Sequence, residues 1–500
     1  MTLNDPNIFV QLSETDIPQS LPAPIGGWNT RDNVGAMSAT DAITLDNLFP
    51  DTRGVKNRGG FTEWATISGD VESLFEFKKQ TTRTGLACAG GKIYTFDVTT
   101  TGQTPTEIGT GFTNDRWQFV ATNNRVVMVN GDDAPQSYDG TTLGAITITG
   151  DLAGSGSDMN GIHKHKDRVY LWNTDDDSFY YSDAAAFQGD FTEFPLNTLV
   201  GGNIKVITSV SQDTGSGLDD LLAIVTDLGE VLFYSGSNPS SDFSLVQRYQ
   251  TSRPIDVRGV TRFAGDAYII LEDDFVPLLQ YVTSANPEGT KLSNAVVDAV
   301  NSYEGNFGFE AKFYGRGKWL FLNVPISTTE AHQYVINSVT GSACRFTGMN
   351  AKTFANANKR LFFGGAGKIY RADDGLDDNG ANIDLKVQQA FTTIGSDFNK
   401  KFNLMKIFIK SLGDIDITQN VAYDYGDALT PQTTTSTSTG SPWDTSDWDT
   451  SDWSSENFTR VFTFVLTGTG LAVSPIFEMS INGIDLEWYR TSYTLDILQT

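Results

Sequence analysis

GLACAGGKIYTFD, residues 85–97, is the segment that says most about the architecture of this chain. It reads as an apolar strand, a glycine turn, and then Lys-Ile-Tyr opening a second strand. RLFFGGAGKIYRAD, residues 360–373, repeats the pattern, most closely where AGGKIY at 89–94 matches GAGKIY at 365–370. Looser copies of the same unit lie at residues 124–138, 167–181, 221–234, 266–281 and 318–336.

These hairpin-like units recur at irregular intervals of roughly 40 to 55 residues, which is the repeat length of β-propeller blades. A blade cannot bury both faces of its sheet alone, so neighbouring blades stack around an axis and the ring closes. We therefore predict an all-β protein with a β-propeller of six or seven blades, since the irregular spacing leaves one unit open. Strand patterns are clearest at residues 125–129, 168–172 and 230–234. A helix is predicted over residues 292–302.

The composition is that of a packed and strongly acidic protein. Of the 500 residues 39% are hydrophobic, and 61 acidic residues face 35 basic ones, for a formal net charge of −26. Such a surface disfavours nucleic-acid binding through phosphates, which requires clustered Lys and Arg. Two interpretations of the charge remain open, namely solubility and a surface past which DNA slides without being held.

Cysteine usage and hydropathy set the remaining limits. Cys88 and Cys344 lie in apolar strand contexts, and we expect buried free thiols rather than a disulfide. The N-terminal sequence lacks the basic and apolar regions of a secretory signal peptide. No apolar run approaches the roughly 18 residues of a membrane span, so we expect no transmembrane segment.

Changes in composition and strand pattern divide the chain into residues 1–66, 67–380 and 381–500. Residues 1–25 are polar and rich in proline, and either an arm that crosses a neighbouring subunit or a disordered terminus fits them. Ser38 followed by Asp41 resembles a capping box and predicts a short helix over residues 39–47. Residues 55–66 predict two strands bent at Gly59 and Gly60.

Residues 381–500 predict a β-sandwich-like domain with long alternating strands. Its loop WDTSDWDTSDW, residues 443–453, places Trp443, Trp448 and Trp453 at five-residue intervals. These side chains could anchor a protein interface, where Trp is favoured, or stack on sugars.

GGWNTRDNVGAMSATDAITLDNLFPDTRGVKNRGG, residues 26–60, resembles the opening of the tail nozzle, or tail tubular, proteins of short-tailed bacteriophages, whose members carry a β-propeller. The Trp-Asp run before the terminal strands resembles the same family, while the middle of the chain matches in architecture only. Trp28 departs from the aliphatic residue expected there. The residue types indicate a role in shaping the backbone, with glycines for positive φ, Asn and Asp for turns, and an Arg to clamp carboxylates or carbonyls.

The resemblance implies a structural virion component without catalytic residues or cofactors. Six copies would form a ring below the adaptor next to the portal, retain the packaged genome and then pass it out during ejection. The implied partners are other copies, the adaptor, the tail fibres, and duplex DNA moving through the lumen without specific binding. The implied location is the virion tail, after assembly in the host cytoplasm. We expect interaction residues at Trp28, Arg31, Asp32, Arg58, Trp443, Trp448 and Trp453.

Other residues are open to a chemical interpretation. His163 and His165 share one face of a strand and could hold a metal, although no third ligand lies nearby and a solvated strand is the simpler interpretation. The acidic turns, above all residues 373–380, could bind calcium but lack the spacing of an EF-hand loop. Propeller glycosidases use paired carboxylates, which the sequence cannot nominate. A glycan- or receptor-binding tail protein and a glycosidase are therefore the alternative functions.

Overall fold

The computed structural model describes residues 15–213, 218–283, 290–411, 413–435 and 458–498. It is an all-β structure with a β-propeller arrangement, as predicted, and it divides into two compact units. Residues 58–381 form the propeller unit. Residues 1–57 and 382–500 together form the second unit, which we call the terminal unit.

The elements are numbered in chain order. The N-terminal strands are β1 (Thr15–Pro22), β2 (Gly27–Trp28), β3 (Asp41–Asp46), β4 (Leu48–Pro50) and β5 (Val55–Asn57). The propeller unit begins with β6 (Phe61–Lys79), β7 (Thr82–Ala89), β8 (Lys92–Phe96), β9 (Thr106–Thr110), β10 (Gln118–Thr122), β11 (Arg125–Val129), β12 (Gln136–Tyr138), β13 (Leu143–Ala145), β14 (Ile148–Gly150), a 3-10 turn (Gly156–Asp158), β15 (Gly161–His165), β16 (Arg168–Trp172), β17 (Ser178–Ser182) and β18 (Gly189–Pro195).

It continues with β19 (Ile204–Asp213), β20 (Leu218–Thr226), β21 (Glu230–Ser235), β22 (Ser244–Gln250), β23 (Val260–Phe263), β24 (Asp266–Ile270), β25 (Phe275–Pro277), α1 (Leu278–Thr283), α2 (Ser293–Tyr303), β26 (Glu310–Tyr314), β27 (Trp319–Pro325), β28 (Ala331–Asn337), β29 (Ala343–Phe346), β30 (Thr353–Ala357) and β31 (Arg360–Ala372). The C-terminal strands are β32 (Ile383–Gln389), β33 (Lys400–Ser411), β34 (Asp416–Tyr423), β35 (Gln432–Thr435), β36 (Phe458–Val465), β37 (Thr469–Gly470), β38 (Val473–Ile481) and β39 (Leu486–Ile497).

Five blades of the propeller unit are built from consecutive strands: β10 to β13, β14 to β18, β19 to β22, β23 to β25, and β26 to β29. The first and last strands of the unit share one further sheet, in the order β30-β31-β6-β7-β8-β9. Strand β6 makes this possible because β31 pairs with its first part, up to Asp70, and β7 pairs with its second part, from Val71.

The predicted count of six or seven blades is wrong, because five blades of consecutive strands are present. The further sheet is not counted as a blade of this kind, since strands from both ends of the unit share it. The reason lies in the two stretches that resemble each other most, residues 85–97 and 360–373. We predicted two separate blades there, but β6 joins both stretches to one sheet. Pairing over a separation of about three hundred residues is invisible in a local pattern.

The two stretches also differ in local structure. Gly90 and Gly91, at φ of 61° and 71°, make the predicted tight turn between β7 and β8. The second stretch is not a hairpin, since β31 runs from Arg360 to Ala372 without a turn. The backbone of β31 instead shows a register shift between Ala366 and Lys368, where it pairs with β6.

Apolar side chains of each sheet pack against those of the next. One buried cluster joins Leu221 and Phe233 to Ile269, and another joins Tyr170 to Leu222. This is how a blade buries the faces that it cannot bury alone.

In the terminal unit, strands from both ends of the chain complete each other's sheets. One sheet has the order β36-β33-β39-β5-β4, with β1 on β39 and β37 on β33, and the other contains β2-β3-β32-β38-β34-β35. The two sheets face each other: the ring centroids of Phe402 and Tyr423 are 5.3 Å apart, as are those of Phe477 and Trp488. The part of the predicted arm that the structure describes thus pairs with β39 of its own chain.

The predicted helix over residues 39–47 is wrong, and strand β3 occupies this segment. The backbone amide of Asp41 donates to the carbonyl of Ser38 over 2.9 Å, which makes a turn, and the Asp41 carboxylate accepts from Asn29 instead of capping a helix. Ile43 and Thr44 favour a strand, and β3 pairs with β32. Tertiary pairing outweighs the weak capping signal.

Other local predictions are confirmed. The expected helix at residues 292–302 is α2, which buries Ala295, Val296 and their neighbours one turn on. The strands expected at 125–129, 168–172 and 230–234 are present. Cys88 and Cys344 are buried free thiols.

Candidate functional site

The segment 26–60, which carries the phage-tail resemblance, holds its own loop by polar contacts. The side-chain amide of Asn29 donates to Asp32 and to Asp41, each over 2.8 Å. Arg31 forms an ion pair with Asp32 over 2.8 Å, and both side chains are about one-third exposed. Two of the predicted interaction residues therefore contact each other and keep part of their surface accessible.

Trp28, a third predicted interaction residue, is buried. Its indole N–H donates to the backbone carbonyl of Ile43 over 3.1 Å, which ties β2 to β3. The observed role of Trp28 is thus to anchor the strand entry of this segment.

Arg58 is 1% exposed and binds Asp378 through both guanidinium nitrogens, over 2.7 and 2.6 Å. The same group donates to the carbonyls of Gly59 and Thr347 over 3.0 and 2.7 Å. The sequence predicted an Arg that clamps carboxylates or carbonyls, and Arg58 does both. The contact fixes the start of the propeller unit to the turn after its last strand.

The glycines beside Arg58 are required by close approach rather than by positive φ. A Cβ on Gly60 would lie 1.8 Å from the carbonyl oxygen of Asp377, and one on Gly59 would lie 2.6 Å from a carboxylate oxygen of Asp373. In the whole segment 26–60, Gly27 alone among the glycines has a positive φ, of 84°. The expectation that these glycines serve positive φ is therefore mostly wrong.

The acidic run at residues 373–378, weighed above as a calcium site, bonds to protein groups. Asp378 binds Arg58, Asp374 accepts from the Thr62 hydroxyl over 2.7 Å, and Asp373 accepts from the Tyr314 hydroxyl over 3.2 Å. Burial raises the pKa of Asp373. Across the described ranges, no group of three or more His, Cys, Asp or Glu side chains is placed to hold a metal ion.

His163 and His165 share one face of β15, as predicted, and both contact the Ser209 hydroxyl, over 2.8 and 2.7 Å. His165 is buried, so the interpretation as a solvated strand is wrong. Burial, together with the neighbouring His165 and Arg262, lowers the pKa of His163 to about 3. His163 is therefore neutral at physiological pH.

A cavity that the sequence did not predict lies where the first strands of the sheets converge, and we call it the axial cavity. Its volume is about 260 Å³, and most of its lining comes from β6, β10, β15, β19, β23, β26 and β30. Trp172 of β16 and the segments just before β10 and β23, which include Arg258, complete it. The charged residues among its lining are Arg258, Arg262, Lys312 and Glu310. These residues come from two separate segments, 258–262 and 310–312, which the fold of the propeller unit brings to one cavity. No local motif signals them.

A cluster of exposed apolar residues, which we call the apolar patch, lies beside the blade of β19 to β22. Leu199, Val200 and Leu228 are 80%, 55% and 48% exposed. The backbone amides of Leu199 and Val200 donate to the Glu230 carboxylate, and a Cβ on Gly202 would lie 3.0 Å from Leu228. The residues therefore adjoin one another.

Trp443, Trp448 and Trp453 lie outside the described residues. No helix within the described ranges is long and apolar enough to span a membrane.

No protein-family model and no curated protein matches the chain. Similar solved structures include Chaetomium thermophilum Raptor, with 12% identity and a TM-score of 0.41 over 63% of this chain. The matched region spans 29% of the Raptor chain. YCF48 bound to a D1 peptide has 10% identity and a TM-score of 0.39, covering 63% of this chain and 95% of its own. BBS1N in complex with ARL6DN has 9% identity and a TM-score of 0.41, and the match covers 63% of this chain and 97% of the BBS1N chain.

Proposed function

We propose that the protein is a structural subunit of a short bacteriophage tail, one of six copies in a nozzle-like ring of the DNA conduit. The observation that carries the proposal is the sequence of residues 26–60, with its resemblance to tail nozzle proteins. Its conspicuous residues are engaged in holding the backbone: Asn29 with Asp32 and Asp41, and Arg58 with Asp378. This use suits a subunit whose role is mechanical.

Self-association requires a surface whose burial lowers the free energy, and the apolar patch is a candidate for such a surface. Contiguous exposed apolar residues on an acidic protein are typical of contact sites. Leu199 is the most exposed of the large apolar side chains in the described residues, and Val200 and Leu228 extend the patch. We infer that this patch contacts a neighbouring copy in the ring.

The charge of the protein supports the conduit part of the proposal. A net charge of −26 disfavours the retention of phosphates, so duplex DNA would pass the subunits without specific binding. The ring would retain the packaged genome by closure and contact the adaptor above it and the tail fibres, in the virion tail.

Electron microscopy of the purified protein, and of any virion that contains it, tests the proposal. We expect sixfold rings with a channel wide enough for duplex DNA. Leu199→Asp should reduce the ring fraction at least tenfold, because a charge would be desolvated in the contact. Val339→Asp is the matched control, since Val339 is 67% exposed on a separate turn.

A protein that stays monomeric at all concentrations and is absent from virions would overturn the assignment. If Leu199→Asp forms rings as well as the wild type does, the protein still assembles into a ring, but the apolar patch is not the contact between its copies.

A further inference from the structure

The axial cavity has a charge balance opposite to that of the whole chain. Acidic residues outnumber basic ones by 61 to 35 over the sequence, yet three of the four charged residues that line the cavity are Arg258, Arg262 and Lys312. The fourth is Glu310. An electropositive cavity in an acidic protein attracts anions that the outer surface repels.

Within the described residues, Glu310 makes no direct contact with either arginine, although its carboxylate favours the charged form of Arg258 from a distance. One of its carboxylate oxygens forms an ion pair with Lys312 over 2.8 Å. The other accepts from the backbone amide of Phe354 over 2.8 Å. Glu310 is thus the one acidic residue among the lining of the cavity, and it faces three basic residues.

Arg258 is 9% exposed, and its guanidinium hydrogen-bonds only to neutral acceptors within the described residues. These are the carbonyls of Glu72 and Trp117, each at 2.8 Å, and the hydroxyl of Ser73 at 2.6 Å. These contacts fix the guanidinium in place, and the carboxylates of Glu310 and Asp256 partly offset its charge from a distance. Burial lowers the pKa of Arg258, which reflects the cost of keeping this charge away from water.

Arg262 lies on β23, has an exposed side chain and is among the residues that line the cavity. It forms no hydrogen bond or ion pair with any residue that the structure describes. The neighbouring His163 is neutral, so it offers polar ring atoms without adding charge. Thr208 and Thr261 add hydroxyl groups to the same lining. Two arginines with neutral donors beside them match the requirements of a phosphate group.

We propose that the axial cavity binds a small oxyanion of the phosphate class, held between Arg258 and Arg262. A bound phosphate would accept hydrogen bonds from the free guanidinium of Arg262 and offset the buried charge of Arg258. The volume of about 260 Å³ leaves room for the ion and for bridging water. Inorganic phosphate and the phosphate group of a nucleotide share this chemistry. The proposal does not depend on the phage-tail function.

Isothermal titration of the full chain with inorganic phosphate, at constant ionic strength in a phosphate-free buffer, tests the proposal. We expect saturable binding that chloride does not reproduce. Arg262→Ala should weaken it about tenfold or more, the effect of losing a charge-assisted hydrogen bond. Arg53→Ala is the matched control, because Arg53 is exposed in the terminal unit, and it should bind as the wild type does.

Because the Arg262 side chain is exposed and has no hydrogen bond or ion pair with the described residues, its variant tests binding with little effect on stability. Arg258→Lys, which keeps the charge but loses the planar fork, should also bind more weakly. Tighter binding of a nucleoside monophosphate than of phosphate would identify a nucleotide as the source, and equal or weaker binding would identify the free ion. Absence of saturable binding of both, or wild-type affinity in Arg262→Ala, would overturn the proposal.

Discussion

At the scale of single residues, Arg58 combines a buried ion pair with hydrogen bonds to two backbone carbonyls. Its side chain is fully buried and Asp378 is nearly so. A buried ion pair costs most when one partner is removed, because the other is left charged and unsatisfied. The contribution of Arg58 to stability is therefore best measured by replacing its side chain with a methyl group.

Arg58→Ala should lower the free energy of unfolding of the propeller unit by about 3 to 5 kcal/mol. Urea unfolding followed by circular dichroism measures the change. Arg83→Ala is the control within the same unit, since the pair of Arg83 and Glu76 is part-exposed and should contribute less than about 1 kcal/mol. Equal losses in the two variants would contradict the structural role of Arg58.

Gly60→Ala should lower the free energy of unfolding by about 1 to 3 kcal/mol, the range for an added methyl group in a site without space. The methyl group would meet the backbone of Asp377, which cannot move without shifting the turn. Gly144→Ala is the matched control, as a Cβ there meets nothing within 4 Å. Urea midpoints of the two variants measure the difference. An unchanged stability of Gly60→Ala would show that the turn at Asp377 moves to accommodate the methyl group.

His163 predicts a pH dependence of stability. Its pKa is about 3 in the folded chain and about 6.5 when unfolded. Between these values the unfolded chain binds a proton that the folded chain does not, so the free energy of unfolding falls as pH drops below 6.5. His163→Gln should lose less stability than the wild type between pH 7 and pH 5.

Urea midpoints at both pH values measure this slope. His332→Gln is the control, because His332 contacts Glu330 on a separate hairpin over 3.1 Å. A slope unchanged by His163→Gln would contradict the assignment of a buried neutral imidazole.

At the scale of elements, β6 is the strand on which the propeller unit depends. It has 19 residues and lies inside a six-stranded sheet, paired with the last hairpin of the unit and with the first. Its amides cannot be exposed without opening both pairings. By contrast, β22 lies at the edge of its sheet and has no buried residue.

Hydrogen exchange measured by mass spectrometry should therefore find peptides of β6 among the slowest to exchange and peptides of β22 among the fastest. The reason is that interior strands exchange through global opening and edges through local opening. If β6 exchanged as fast as β22, the sheet that joins the first and last strands of the propeller unit would open locally, which would contradict the central role of β6.

At the scale of the whole molecule, the net charge of −26 opposes the assembly of copies into a ring. Raising the salt concentration from about 0.01 M to about 0.15 M shortens the Debye length from about 30 Å to about 8 Å. If the protein forms rings, the ring fraction should rise over this range, because repulsion is screened while the apolar patch keeps its contribution. Analytical ultracentrifugation measures the fraction, and a ring fraction that falls with salt would contradict an apolar contact.

The class of the fold and the positions of many strands could be predicted from the amino-acid sequence. Alternating apolar residues and a glycine pair specify β7, β8, β11 and β16 locally, since each hairpin depends on neighbours a few residues away. The helical pattern at residues 292–302 was correct for the same reason. The carboxylate- or carbonyl-binding role of Arg58 also followed from residue type, although its partner did not.

Four features became visible in the folded chain and not before: the number of blades, the strand at β3 in place of a helix, the union of both chain ends in one unit, and the set of charges that lines the axial cavity. Each of these depends on pairing between residues far apart in the chain, such as β6 with β31 and β1 with β39. Local propensities amount to fractions of a kcal/mol per residue, whereas burial and pairing with a distant strand contribute more. The distant partner therefore prevails, and the local sequence does not contain it.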